Sequence, residues 1–321
     1  MRLNRLGTSE VRLKPTIQED SASPADIAGV QSATPVALIM RSKDEQPHAD
    51  LALEALRDQS YGHFTLYNVD SGSTDGTLEA VRRFNPIAEN VIEIAPEAYV
   101  PGVVLNDMVA RTTEPIVVFL NADAIPQDRF WLERLIAPIL SGEADATMSR
   151  QIPRDEARFI DKFDFERAYS PRTLDKTPEF FSAVSCAFRR ELWEQTKFYV
   201  GGYAEDLAWS RACQEKGARF RLTMDSVVEH SHNFTVRGLY RKRYRHGIAY
   251  VEIYGTRPNL PRQGIQCAKE VVRDLLHAVR KLRLDTVPYN VVHRVVIHLA
   301  YYLGIREGWR RRSAIQKREH P

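Results

Sequence analysis

Four short strand-like stretches, of which Val36 to Met40 and Ile116 to Leu120 are continuously apolar, punctuate the first part of the chain. Val36 to Met40 runs into Arg41-Ser42-Lys43-Asp44-Glu45. Phe64 to Val69 runs into Asp70-Ser71-Gly72-Ser73-Thr74-Asp75-Gly76-Thr77, Val91 to Ile94 is the third, and Ile116 to Leu120 leads into Asn121-Ala122-Asp123-Ala124-Ile125-Pro126. Continuous apolar runs of this length, bounded by turn signals, read as buried strands of a parallel sheet. Between them, residues 47–59 place Leu51, Ala55 and Leu56 on one helical face. Leu78, Val81 and Phe84 share the face of a second helix, started by Ser73 or Asp75, and Asn106 to Arg111 forms a third. The order β-α-β-α-β-α-β predicts an α/β fold with a doubly wound, mostly parallel sheet, the arrangement that binds nucleotides. Neither Gly-x-Gly-x-x-Gly nor Gly-x-x-x-x-Gly-Lys occurs, so a dinucleotide fold and a P-loop are both unsupported.

Further on, Leu207 to Lys216 reads as a helix closed by Gly217, and Val227, Val228 and Phe234 suit a strand. Residues 264–283 predict a long helix with Ile265, Ala268, Val272, Leu275, Leu276 and Val279 on one side, with Lys269, Arg273, Arg280 and Lys281 around them. Residues 291–305 predict another. The chain thus divides into a polar, flexible leader (1–34), an α/β domain (35–235) and a basic helical extension (236–321).

Charge sharpens that division. The 321 residues carry a net +3, but residues 236–321 hold 19 Lys and Arg against 6 Asp and Glu, a local +13. The other 235 residues hold 26 against 36, a local −10, and the two sum to +3. A basic amphipathic extension suits an anionic membrane surface, with a plain solvated helical face as the alternative. Nucleic acid is not expected, because no nucleic-acid motif accompanies the charge. Val291 to Ile305 is broken by His293, Arg294 and His298 and is too short to span a bilayer. Cys186, Cys213 and Cys267 are widely spaced and odd in number, and the first residues lack the apolar core of a signal peptide. Both features suit a reduced, cytoplasmic location.

The candidate chemistry lies at strand ends, where open α/β sheets bind ligands. Asp123 can hold a divalent cation, and the cation a diphosphate; alternatively it caps a helix starting near Gln127. Asp70 can accept the N3 hydrogen of a uracil or thymine ring, or can brace its own turn. Asp44 and Glu45 follow the first strand and can contact ribose or base, or form a solvated loop. His230 and His232 are two apart, a spacing that puts side chains on one face of a strand. Imidazole with carboxylate suits Mn²⁺, and oxygen-rich sets suit Mg²⁺. Glu205-Asp206 opens a helix, where a carboxylate acts either as a cap or as a general base. Trp193 and Trp209 lie nearby and could stack on a sugar face or fill the core.

Arg41 to Glu45, Val69 to Thr77, Tyr99-Val100-Pro101-Gly102 with Asn106, and Phe119 to Pro126 together resemble family-2 glycosyltransferases of the GT-A fold. The later stretches 180–193, 203–217 and 229–234 agree with its acceptor, catalytic and histidine segments, and the nearest subgroup is rhamnosyltransferase-like. The resemblance covers roughly residues 35–235. It implies a nucleoside-diphosphate-sugar donor contacted by Arg41, Asp44, Glu45, Asp70, Asn121 and Asp123, and a saccharide or lipid-linked acceptor. It implies one metal-binding histidine and makes Asp206 the base. Glu205 would orient the acceptor or the loop, and Trp193 and Trp209 are the candidates for acceptor binding. Asn121 departs from the family's Asp-x-Asp, leaving Asp123 as the principal carboxylate ligand. A nucleotidyltransferase would need a Gly-rich loop after the first strand, which Arg41 to Glu45 lacks. A non-catalytic sugar-nucleotide scaffold, prompted by Asn121, is the other alternative.

Overall fold

The computed structural model describes residues 34–170 and 181–319. Eight strands form one sheet in the order β3-β2-β1-β4-β7-β6-β8-β5. They are β1 (Val36–Ser42), β2 (Phe64–Asp70), β3 (Val91–Glu93), β4 (Ile116–Asn121), β5 (Ile125–Pro126), β6 (Ala146–Ile152), β7 (Ser185–Arg189) and β8 (Phe220–Glu229). The first four are parallel, as the apolar runs predict. β7 enters antiparallel between β4 and β6, and β5 lies antiparallel on β8, so the sheet is mixed. Val36 to Met40 of β1 and Ile116 to Leu120 of β4 are buried on both faces, which is why their sequences are unbroken apolar runs rather than alternating ones.

Helices cover both faces. His48–Arg57 (α1), Thr77–Phe84 (α2) and Trp131–Leu140 (α4) cover one, with Leu53, Leu56, Trp131 and Leu135 in its core. Pro101–Ala110 (α3), Arg190–Gln195 (α6) and Glu205–Glu215 (α7) cover the other, around Leu105, Phe119, Phe188 and Trp209. Phe159–Ala168 (α5) follows β6. The helix expected at Asn106 begins five residues earlier, at Pro101, a residue suited to a first helical turn.

Three helices complete the chain: Val236–Tyr254 (α8), Leu260–Arg280 (α9) and Val287–Glu319 (α10). Thr235 caps α8 by accepting the Gly238 N–H at 3.1 Å. α8 and α10 approach closely at Gly247 and Gly304. A Cβ at either would collide with the backbone carbonyl of Tyr301 or of Tyr244. The polar leader expected at 1–34 lies outside the described residues except for Thr34.

Candidate active site

Strand register assembles the site at the carboxyl edge of the sheet. Arg41 pairs with Asn121 across β1 and β4, and Ser42 pairs with Asp70 across β1 and β2. Ile125 pairs with Glu229, so the short β5–β8 ladder brings Asp123 beside the residues that follow β8. His230 and His232 do not lie on the strand, as their spacing had suggested; β8 ends at Glu229. Both still converge on Asp123. Its Oδ2 is 3.4 Å from His230 Nε2 and 3.5 Å from His232 Nε2. The ligand atoms of the three residues lie within 4.8 Å of one another.

The donor set fits a divalent cation. His230 Nδ1 is 3.0 Å from Gln151 Oε1, an acceptor, which places the hydrogen on Nδ1. Nε2 is then an unprotonated lone-pair donor, and it is buried with no hydrogen-bond partner. Burial holds the His230 imidazolium down to about 4, against the opposing pull of Asp123, so the ring is neutral. Burial also lowers His232. A neutral, orphaned imidazole nitrogen aimed at a carboxylate is a metal-ligand geometry. Asp123 is 2% exposed and caps no helix, since α4 begins only at Trp131. Arg154 holds it from behind, with Nη2 donating to its carbonyl at 2.6 Å and lying 3.4 Å from Oδ2.

A cleft of about 370 Å³ adjoins this triad, lined by Arg41, Lys43, Glu45, Pro96, Tyr99 and Asn121 among others. Glu45 is pushed up to about 8 by burial and by the nearby Asp123 carboxylate, with Arg154 opposing. Its side chain lines the cleft. Asp70 is not available to a base. It is fully buried, its Oδ2 accepts from the Ser42 and Ser73 hydroxyls at 2.6 and 2.7 Å, and its Oδ1 accepts from the Gly72 and Ser73 N–H groups at 3.0 and 2.7 Å. All four lone-pair positions of the carboxylate are used, so the turn-bracing alternative is the one realised. Asp44 is also turned away from the cleft. It sits at a left-handed φ of 53° and accepts from the Thr74 N–H at 2.7 Å, next to the Lys43 ammonium. The backbone N–H groups of Asp44, Glu45 and Gln46 in turn bind Ser73, Thr77 and Asp75. These bonds lock the two loops together beneath the cleft.

The second carboxylate cluster stands at the start of α7. The helix is capped by Ala204 in the left-handed conformation, with no side-chain cap, so Glu205 and Asp206 belong to its first turn rather than capping it. Asp206 Oδ2 accepts from the Ala183 N–H at 3.2 Å and Oδ1 from the Leu207 N–H at 2.8 Å. Burial raises Asp206 above the usual carboxylate range despite these bonds. Glu205 is pushed up to about 7, first by burial and then by the Asp206 charge, while Arg41 opposes. Arg41 links the two clusters: Nη2 donates to Asn121 Oδ1 at 2.7 Å and to the Ala183 carbonyl at 2.9 Å, while Nη1 lies 3.8 Å from Glu205 Oε1. The Asn121 oxygen is therefore committed to Arg41. Perturbed acids brought near one another at a sheet edge are a signature of catalytic sites.

Neither tryptophan offers a face to a sugar. Trp209 is 1% exposed and packs among Phe181, Phe188, Phe198 and Phe220. Trp193 is 7% exposed, donates from Nε1 to Asn106 Oδ1 at 2.9 Å, and is covered by Lys197 Nζ at 2.9 Å from its ring centre. The acceptor-stacking expectation is corrected for both, because their indoles fill the core behind α7. Sequence reasoning missed Gln151 and Arg154, and it singled out Tyr99 only within a motif, without a role. Gln151 sits near the end of β6, a strand-end position that could have flagged it. Lys242 of α8 lies within the basic extension. Its charge reaches both Asp206 and His232, and burial lowers it to about 8.

The mixed sheet, with an Asp-His-His pocket at its carboxyl edge and a buried acidic pair beside it, has the GT-A fold, and the chain is a glycosyltransferase. The family model described as glycosyl transferase family 2 matches residues 38–196, and the chain belongs to that family. It is similar to the O-antigen chain rhamnosyltransferase WbaN of Salmonella anatum, 24% identical over 79% of this chain and 82% of that protein. It is also similar to the O-antigen chain rhamnosyltransferase RfbN of Salmonella typhimurium, 23% identical over 80% and 83%. Among solved structures, the mannosyltransferase PcManGT from Pyrobaculum calidifontis, in complex with GDP-Man and Mn²⁺, superposes with a TM-score of 0.62 at 20% identity, covering 86% of this chain and 88% of that one. Glucosyl-3-phosphoglycerate synthase from Mycobacterium tuberculosis, in complex with Mn²⁺, UDP and phosphoglyceric acid, gives 0.53 at 17%, covering 74% and 85%.

Proposed function

We propose that the chain is an inverting glycosyltransferase that moves rhamnose or another hexose from a nucleoside-diphosphate sugar to a saccharide or lipid-linked acceptor in cell-surface polysaccharide synthesis. The observation that carries this reading is the pairing, across Arg41, of a cation-type pocket with a buried base-type pair at one sheet edge. The likeness to two O-antigen rhamnosyltransferases supports the sugar and acceptor class.

Asp206 takes the acceptor hydroxyl proton as that oxygen attacks the anomeric carbon. Its raised proton affinity makes it a stronger base than an exposed aspartate. Glu205 holds the acceptor hydroxyl in line and keeps Arg41 in place. Asp123, His230 and His232 would hold a divalent ion, Mn²⁺ or Mg²⁺, which when bound would supply positive charge to a departing diphosphate. Gln151 keeps His230 in the ligating tautomer, and Arg154 fixes Asp123. Lys242 adds a positive charge within reach of Asp206 and His232. Asn121, Arg41, Tyr99 and Glu45 line the donor cleft. We place the enzyme in the cytoplasm, with its basic extension against the anionic inner face of the membrane. No helix among the described residues is long and apolar enough to cross a membrane.

The test is a panel of nucleoside diphosphates and their sugars, with and without Mn²⁺, read by thermal shift and then by transfer of labelled sugar. Metal-dependent stabilisation followed by transfer supports the reading, since a ligand that binds the native state raises its stability. Stabilisation without transfer or donor hydrolysis would instead make the chain a sugar-nucleotide scaffold.

A further inference from the structure

Helix α9 is amphipathic in the inverted sense. A surface helix ordinarily turns its apolar stripe to the core. Here Ile265, Val272, Leu276 and Val279 are 58, 56, 52 and 49% exposed, while Asp274 is 1% exposed on the opposite side. The inward polar face is paired with α10 and α5. Asp274 receives the guanidinium of Arg294 from α10, whose Nη1 and Nη2 also donate to Asp164 of α5 at 2.8 and 2.6 Å. Gln263 bonds His298 at 2.7 Å, and Glu270 faces the same histidine at 3.3 Å. These charged contacts hold the apolar side outward and tie it to the catalytic domain through α5.

Exposed apolar side chains also occur beyond α9. Leu282 and Leu284 in the connection are 87 and 60% exposed. On α10, Val291, Val295 and Leu299 repeat at a spacing of four and are 38, 47 and 49% exposed. Exposed apolar residues repeated in this way along surface helices mark a contact site. Over residues 260–286 the exposed ionisable side chains are Arg262, Lys269, Arg280, Lys281 and Arg283 against the single acid Asp285. A second copy docking by a two-fold axis would bring that cationic rim against itself. An anionic bilayer supplies both an apolar layer for the leucines and valines and a negative surface for the rim.

We propose that the outer faces of α9, its connection and α10 insert into the headgroup layer of an anionic membrane. The inference rests on the membrane partner proposed above and assigns the residues that make the contact. The full chain is sedimented with vesicles of phosphatidylcholine alone or mixed with phosphatidylglycerol. The parent protein should bind the mixed vesicles, and V272E/L276E should weaken that binding about tenfold or more per residue, the value of one buried aliphatic side chain. K269E/K281E should weaken it chiefly at low salt, because exposed charges are screened over roughly 10 Å at 0.1 M. Both variants change exposed side chains, so their melting temperatures and their transfer to a soluble saccharide should match the parent. Unchanged vesicle binding in V272E/L276E would overturn the proposal. So would a parent protein that ignores the vesicles but forms a dimer, by light scattering, that V272E/L276E dissociates. A parent that binds vesicles but transfers no sugar to any acceptor would refute the proposed function and leave the membrane face standing.

Discussion

Asp206→Asn separates catalysis from structure at this site. The carboxylate accepts two backbone N–H groups, from Ala183 and Leu207. An asparagine has one acceptor oxygen, so it keeps one bond and turns its NH₂ toward the other donor. An unsatisfied buried donor costs about 1–3 kcal/mol. The substitution also removes a buried charge that the fold disfavours, as the raised proton affinity records, and this offsets part of the loss. The net change should be about 1 kcal/mol, which for a protein of this size moves Tm by about 2–4 °C. Donor binding should persist, because the cleft is built from β1, β4 and the triad rather than from α7. Transfer should fall by about 10²–10⁴-fold, the usual contribution of a positioned base. The measurements are a thermal melt, calorimetric titration of the nucleoside diphosphate with Mn²⁺, and the rate of labelled-sugar transfer. A variant that transfers at the parent rate would refute the assignment. If Glu205→Gln is inactive while Asp206→Asn is active, the roles of the pair are reversed. Loss of donor affinity in Asp206→Asn would show that the two clusters are not separable.

Asp123→Ala should abolish the Mn²⁺ dependence of nucleoside-diphosphate binding in titration calorimetry; an unaltered metal dependence would remove Asp123 from the ligand set. Gln151→Ala should weaken Mn²⁺ binding by about 10–100-fold, the usual effect of losing the partner that orients a histidine ligand, as read by paramagnetic titration of free Mn²⁺. Glu205 binds its proton more tightly folded, at about 7 against 4.5, so the native state holds the extra proton between those values and stability falls as pH rises through that window. Glu205→Gln should therefore gain on the parent at pH 8, by at most about 3 kcal/mol, and not at pH 4, in urea melts; a difference independent of pH would contradict the burial argument. Trp193→Phe should cost about 1 kcal/mol through the lost Asn106 bond and leave the acceptor KM unchanged, whereas a raised KM would restore Trp193 to the acceptor site.

The sequence by itself determined the parallel half of the sheet. β1 and β4 are buried on both faces, so their own side chains must be apolar along their whole length, and that demand is local enough to read. It also placed Asp123 and the Glu205–Asp206 pair at element ends, where turn chemistry marks a ligand-facing edge. The tertiary structure decided what those groups touch. Asp70 and Asp44 carry the same turn signal whether they face a nucleotide or brace a loop, and only the neighbouring loop, some 30 residues away in sequence, settles the choice. Gln151 and Arg154 act on His230 and Asp123 across separations of 79 and 31 residues, through the β5–β8 and β6–β8 pairings that no local period encodes. Trp209 reads equally as core or platform until the aromatic rings around it are in place. In α9 the 3.6-residue period shows an apolar stripe but carries no sign. The Arg294 bonds to Asp274 and Asp164 turn the polar side inward, because a buried charge must meet its partner wherever the chain brings it.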